Sequence, residues 1–184
     1  MVVLETARLI VRDHRESDLE GLAALLTSPE NMRYVPELRA SNADAARKNL
    51  DASIAEQNNP SRTKYFFAIE EKSSGRYVGE VGFTVEQSTR SGSLADLGYF
   101  ILREFHGRGY MTEAGKRVVD FAFAEAGVHK IKTGCLKENR ASERVMQKLG
   151  FRKEGELREH QYHEGVWKDR VVYGLLRAEA TPTA

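Results

Sequence analysis

The 184-residue chain holds a single cysteine, Cys135. One thiol cannot build an internal disulfide framework, which points to a reducing compartment. On an apolar stretch such a thiol is expected to be inert core. Runs of about 20 apolar residues are missing, so no membrane-spanning helix and no membrane partner are expected. The N-terminus lacks the apolar segment of a secretory leader, and the expected location is cytoplasmic. Neither sign of charge dominates: 28 Lys and Arg against 27 Asp and Glu leave +1. Such a mixed surface argues against nucleic acid as a partner. Repeats and low-complexity tracts are also lacking. The length suits one domain, 1–184, with a sizeable core. From about residue 177 onward, ending in Thr181-Pro182-Thr183-Ala184, it reads as a loose tail.

What is present is a succession of short periodic elements. Leu4 to Asp13 alternates as a strand. Ser17-Asp18-Leu19-Glu20 has the form of a capping box, placing a helix start near Asp18 with Leu19, Leu22, Ala23 and Leu26 inward. Ser41 is the expected cap of a second helix, Asn42 to Gln57, which Asn58-Asn59-Pro60-Ser61 ends. Lys64–Glu71, Tyr77–Glu86 and the strand from Leu94 read as an antiparallel meander, with a polar turn over Gln87 to Gly92. A helix from about Gly109 to Glu125 and a strand from Lys130 to Leu136 imply a parallel crossover. Asn139 opens a fourth helix, with Ala141, Val145 and Leu149 on one face. Phe151–Gln161 and Val166–Leu176 form a hairpin. The order β, α, α, β, β, β, α, β, α, β, β gives an α/β (α+β) fold of seven strands and four helices.

The stretch from Leu94 to Ala114 is the centre of the pattern. A strand stops at Gly107-Arg108-Gly109 and a helix begins. This leaves backbone N–H groups without partners at the positive end of a helix dipole, a site for phosphate. A Walker loop does not fit: five residues separate Gly109 from Gly115-Lys116, and Arg117 stands where a magnesium-binding hydroxyl is needed. A dinucleotide fingerprint fails because Thr112 occupies the third glycine position. No metal is expected.

The segment His106-Gly107-Arg108-Gly109-Tyr110-Met111 resembles the pyrophosphate loop of the GNAT acetyltransferases. His106 replaces the usual Gln or Arg, and Met111 replaces a small residue. Thr112-Glu113-Ala114 and the opening Leu-Glu-Thr-Ala-Arg-Leu-Ile-Val-Arg resemble the RimJ/RimL-like group, which acetylates protein N-terminal amines. The run from Asn139 through Ser142 to Leu149-Gly150-Phe151 resembles the second motif of the family. Asp169 and Tyr173-Gly174-Leu175 again resemble the RimJ/RimL-like group. The resemblance covers nearly the whole chain and implies the acetyltransferase fold, a mostly antiparallel sheet that splays in the middle.

It also implies acetyl-CoA as cofactor. Main-chain donors from Gly107 to Thr112, with Arg108 and His106, would take the pyrophosphate. Phe100, Ile101 and Leu102 would offer a strand edge to the amides of the cofactor arm. Asn139, Ser142 and Arg144 join the cofactor set. Asp96 is the first candidate to accept the amine proton, and Glu80 the second. Ser142 is the available proton donor for the leaving thiolate, because the position of the family tyrosine is Met146. Glu30, Tyr34, Glu159, Tyr162 and Trp167 are candidates to line the acceptor cleft. The partner is then an amine substrate, with a protein N-terminus of ribosomal type first. A small amine (polyamine, amino acid or antibiotic) or a non-catalytic acyl-CoA sensor are the alternatives. A monomer or a homodimer is expected.

Overall fold

The computed structural model describes residues 1–180. Among them eight strands and four α-helices follow in the order β1 (Val3–Glu5), β2 (Leu9–Arg12), α1 (Leu19–Thr27), α2 (Ala43–Gln57), β3 (Lys64–Glu71), β4 (Tyr77–Thr89), β5 (Gly92–Ile101), α3 (Tyr110–Ala124), β6 (Val128–Leu136), α4 (Arg140–Lys148), β7 (Arg152–His163) and β8 (Val166–Leu176). The strand order of the sheet is β1-β2-β3-β4-β5-β6-β8-β7. The backbone forms two compact units: Met1–Thr84 with Gly98–Val118, and Val85–Leu97 with the described residues from Val119 on.

In the first unit, the single strand expected over Leu4 to Asp13 is two, paired antiparallel from Val3↔Arg12 to Glu5↔Ile10. That raises the strand count from seven to eight. The cause is Thr6: its N–H donates to the Leu9 carbonyl (3.0 Å) while its Oγ1 accepts the Leu9 N–H (2.9 Å). A threonine that satisfies backbone groups locally favours a turn over a continuous strand. The second helix is capped by Asn42, not Ser41, through a bond from the Ala45 N–H to Asn42 Oδ1 (2.9 Å). Leu22, Leu26, Met32 and Leu50 form a buried cluster on which Phe100 and Tyr77 pack. A Cβ on Gly79 would strike the Phe100 carbonyl, so the close approach of β4 to β5 requires glycine there.

In the second unit, β5 and β6 pair in parallel from Ser93↔Val128 to Asp96↔Lys132, and α3 supplies the crossover that a parallel pair needs. The ladder stops there, although the strands run on to Ile101 and Leu136. β4 and β5 extend through most of the expected polar turn, leaving only Arg90 and Ser91 outside. Asn139 caps α4, its Oδ1 accepting the Ser142 N–H (3.2 Å). The inward face of α4 differs from expectation: Ala141 is exposed, and Glu143, Met146 and Leu149 are buried. The reason is that the buried Tyr173 hydroxyl donates to Glu143 (2.9 Å), turning a charged residue inward. At the tip of the β7–β8 hairpin, Glu164 and Gly165 both have positive φ (51° and 83°), the geometry of a tight primed turn. The tail expected from about residue 177 opens with an ordered 3-10 turn, Arg177–Glu179. It is tied down by a bond from Arg177 Nε to the Val128 carbonyl (2.9 Å) and by the Arg152–Glu179 ion pair (2.7 Å). Thr181 to Ala184 lie outside the described residues.

The expected capping box hides a buried network. Asp18 does not serve as a simple helix cap: Arg12 forks onto both its oxygens (2.8 Å each) and reaches Glu70 (2.8 Å). Burial pushes the Asp18 carboxyl upward, but the donors Arg12 and the Arg15 N–H outweigh it and hold it below the usual range. Replacing Arg12 by leucine strands a buried carboxylate, and urea unfolding is expected to show a loss of about 3–5 kcal/mol. The folded carboxyl is the stronger acid, so its stabilisation is complete above the unfolded value near 3.9 and is lost as pH falls through the folded one. Arg12→Leu should weaken that component of acid sensitivity.

Candidate active site

In the first unit, β5 ends at Ile101 and a short 3-10 turn over Arg103–Phe105 leads to His106. Gly107 (φ 76°) and Gly109 (φ 79°) adopt the left-handed conformation that side chains resist. α3 then begins at Tyr110. Its first backbone bond runs from the Glu113 N–H to the Gly109 carbonyl (3.0 Å). The N–H groups of residues 107–112 donate to no atom among the described residues. Residues 107–109 are exposed. Six N–H groups without a partner among the described residues, three of them on exposed residues, constitute an anion nest at a helix N-terminus.

The side chains around the turn make contacts of their own. Phe105 is buried beneath it, with the Arg108 guanidinium 5.2 Å from its ring centroid. The His106 ring Nε2 lies 3.3 Å from the Ile101 carbonyl. Met111 is buried, so the departure from a small residue at that position fills core. Of the expected strand edge, the Leu102 N–H is already donated to the Val78 carbonyl (3.0 Å), and Phe100 packs on the leucine cluster. The turn therefore offers its main-chain donors together with the exposed side chains of His106 and Arg108.

The sequence did not disclose what holds the turn in place. Arg8 Nη1 donates to the Arg108 carbonyl (3.0 Å), and its guanidinium stands 4.5 Å from the Tyr110 ring centroid. The Glu113 carboxylate accepts from Thr6 Oγ1 (2.6 Å), the Arg8 N–H (2.9 Å) and Arg8 Nε (2.7 Å). Tyr110 donates its hydroxyl to Glu71 (2.5 Å). A cavity of about 440 Å³ is lined by Ala7, Arg8, Glu71, Lys72, Ser73 and Tyr110. Its cations are neutralised, Arg8 by Glu113 and Lys72 by Glu5 (2.8 Å), so it is a poor site for an anion.

The two candidate bases have different surroundings. Glu80, in the first unit, is 7% exposed. Its Oε2 lies 3.4 Å from His14 Nε2, and His14 Nδ1 lies 3.7 Å from Asp18. Asp96, in the second unit, is partly exposed and 3.8 Å from Lys132, which also pairs with Glu86 (2.8 Å). Burial pushes the Asp96 carboxyl up, Lys132 opposes the shift, and the net direction is upward.

Also in the second unit, Asn139 and Ser142 meet through the helix cap, and Arg144 is exposed. Met146 is fully buried. Burial raises the Cys135 thiol against an opposing bond with Ser142. Of the candidate acceptor residues, Glu30 and Tyr34 belong to the first unit. Glu30 pairs with Arg103 (2.5 Å), and Arg33 lies over the Tyr34 ring at 5.5 Å. Glu159, Tyr162 and Trp167 belong to the second. Tyr162 and Trp167 meet edge to face at 5.5 Å on the hairpin and are 61% and 60% exposed. Glu159 has φ 46° within the register break between Leu157 and Gln161. Its N–H is held by Asp169 Oδ1 (3.0 Å), which gives the Asp169 singled out from sequence a definite local role.

Residues 8–152 match the family model described as an acetyltransferase (GNAT) domain. The uncharacterized N-acetyltransferase YoaA of Bacillus subtilis (strain 168) is 29% identical over 176 residues, 95% of this chain and 97% of that one. The [Ribosomal protein uS5]-alanine N-acetyltransferase of Escherichia coli (strain K12) is 30% identical over 86 residues, 47% of this chain and 44% of that one. Among solved structures, the spermidine N-acetyltransferase of Vibrio cholerae, in complex with CoA and spermine, superposes with a TM-score of 0.81 at 21% identity, covering 95% of this chain and 98% of that one. A glycine turn with unpartnered N–H groups at the start of α3, a parallel crossover and a family model spanning both lead to one conclusion: the chain belongs to the GNAT acetyltransferase family and is an N-acetyltransferase with acetyl-CoA as acyl donor.

Proposed function

We propose that the enzyme transfers acetyl directly from acetyl-CoA to a protein N-terminal α-amine within a ternary complex. The observation that carries the cofactor half is the row of unpartnered N–H groups over residues 107–112, a fit to a diphosphate. The acceptor half is supported by the 30% identity to the uS5-alanine enzyme and by the chemistry of amines. At pH 7.4 a lysine side chain is only about one part in a thousand neutral, whereas an α-amine near pKa 8 is roughly a fifth neutral. An α-amine therefore attacks with little help from a base.

In the proposed reaction, the amine nitrogen bonds to the thioester carbon and the C–S bond breaks. A β5 main-chain N–H near Phe100 stabilises the oxyanion, while the edge from Phe100 to Leu102 aligns the cofactor arm. Asp96 takes the ammonium proton. Its raised carboxyl is better matched to that task than an ordinary surface carboxylate. Glu80 is the second choice. The thiolate leaves with a proton from Ser142 or solvent, with Asn139 and Arg144 beside it. Glu30, Tyr34, Glu159, Tyr162 and Trp167 are proposed to receive the peptide.

Thiol release measured across N-terminal peptides, polyamines, amino acids and aminoglycosides tests the acceptor. Peptides beginning with alanine or serine should lead; faster turnover of a polyamine would displace the reading. Since Asp96 must be ionised to act, the rate should fall as pH drops through its raised pKa, so the acid limb lies above the ordinary carboxylate range. Asp96→Asn should lower kcat and erase that limb, and an unchanged profile would exclude it. Gly107→Ala and Gly109→Ala force a side chain into positive φ at about 1–2 kcal/mol and should weaken CoA roughly tenfold, read by calorimetry. Ser142→Ala should slow turnover without abolishing it, since a thiol is a tolerable leaving group.

A further inference from the structure

The acidic residue in the first turn of α3 raises a problem for an anion nest. Glu113 sits one turn from the free donors of residues 107–112, and a carboxylate at a helix start ordinarily serves as the local anion. Left loose, it would compete with a diphosphate for those donors and repel it. The structure holds it away. Thr6 Oγ1 (2.6 Å), the Arg8 N–H (2.9 Å), Arg8 Nε (2.7 Å) and Arg8 Nη2 (2.6 Å) all converge on its two oxygens. None of the donors of residues 107–112 reaches it.

The same arginine acts on the turn from the other side. Its Nη1 donates to the Arg108 carbonyl at 3.0 Å. In a trans peptide the carbonyl oxygen and the following N–H point in opposite directions. Anchoring the Arg108 carbonyl toward Arg8 therefore turns the Gly109 N–H away from it, outward into the nest. Stacking on the Tyr110 ring at 4.5 Å, with the Tyr110 hydroxyl bound to Glu71, fixes the guanidinium in this position.

We propose that Thr6 and Arg8, in the turn between β1 and β2, are positioning residues for cofactor binding: they sequester the Glu113 carboxylate and orient the 108–109 peptide so that the main-chain donors stay free for the pyrophosphate. Leu-Glu-Thr-Ala-Arg at the start and Thr-Glu-Ala after the loop, the two sequence words that resemble the RimJ/RimL-like group, supply the two halves of this one contact. The inference rests on the turn being the diphosphate site.

The test is a charge-release cycle. Arg8→Ala removes the two guanidinium contacts on Glu113, leaving those from Thr6 Oγ1 and the main-chain N–H, and with them the anchor on the Arg108 carbonyl; it should raise the Kd for CoA and the KM for acetyl-CoA about tenfold, the size expected for losing a charge-assisted anchor. kcat at saturation should change by less than about twofold, because the acyl-transfer chemistry is untouched. Arg8→Ala/Glu113→Gln should then bind CoA more tightly than Arg8→Ala alone, since the competing anion is gone. Arg8→Lys should fall between wild type and Arg8→Ala. A merely structural tie predicts the reverse for the double variant, so a double variant no better than Arg8→Ala overturns the proposal, as does Arg8→Ala binding CoA like wild type. Should Arg8→Ala fail to fold, Thr6→Val with and without Glu113→Gln reads the same sign at smaller amplitude. Wild-type protein that does not bind CoA would overturn the diphosphate reading of the turn itself, a result distinct from equal binding by wild type and variant.

Discussion

An α-helix cannot satisfy its own first N–H groups, and among the described residues nothing accepts from those of the helix that follows Gly109. That unmet demand is the constraint from which the chemistry of this protein follows. A serine, threonine or aspartate cap would have met it from within the chain. Instead two glycines in the left-handed conformation keep the turn tight and exposed. Phe105 is buried, His106 is turned toward Ile101, and Arg108 is stacked on Phe105. The result is a row of main-chain donors beside the exposed His106 and Arg108, suited to a ligand with two adjacent phosphates.

The charges of the first unit are arranged around this. Arg12, Asp18 and Glu70 form one buried network, and Arg62 with the buried Asp13 (2.7 Å) forms another tie nearby in sequence. Buried ion pairs of this kind add less to stability than their Coulomb attraction implies, because each ion gives up its hydration. Their effect is to make wrong arrangements costly, since any slip leaves a charge unpaired out of water. Thr6 and Arg8 lie within the same short segment as Arg12 and Asp13, so the β1–β2 hairpin carries several charged contacts that a single strand could not make.

Much of the pattern was legible in the chain itself. β3 matches the expected Lys64–Glu71 without change, and α3 and α4 fall within about two residues of the expected helices, because strong apolar periodicity and a good cap at Asn139 decide them locally. The structure departs from the pattern where a side chain's hydrogen bond overrides the periodicity. Thr6 folded a strand into a hairpin. Asn42 displaced Ser41 as cap. Glu143 turned inward to meet Tyr173, displacing Ala141 from the buried face. In each case the decisive hydrogen-bond partner, its geometry or both lay outside what hydrophobic spacing encodes.

Composition, periodicity and the glycine spacing were by themselves enough to determine a mixed α/β fold with a glycine-framed turn between a strand and a helix. These depend on backbone properties that act over a few residues: φ freedom, helix dipole, alternation. Tertiary structure alone decided which anion the turn is left free to bind. The Glu113 carboxylate is drawn off by Thr6 and Arg8, some 105 residues earlier in the chain. No local rule pairs residues so far apart; their meeting is set by the packing of the β1–β2 hairpin against the start of α3, where one arginine has both a carboxylate and a carbonyl within reach.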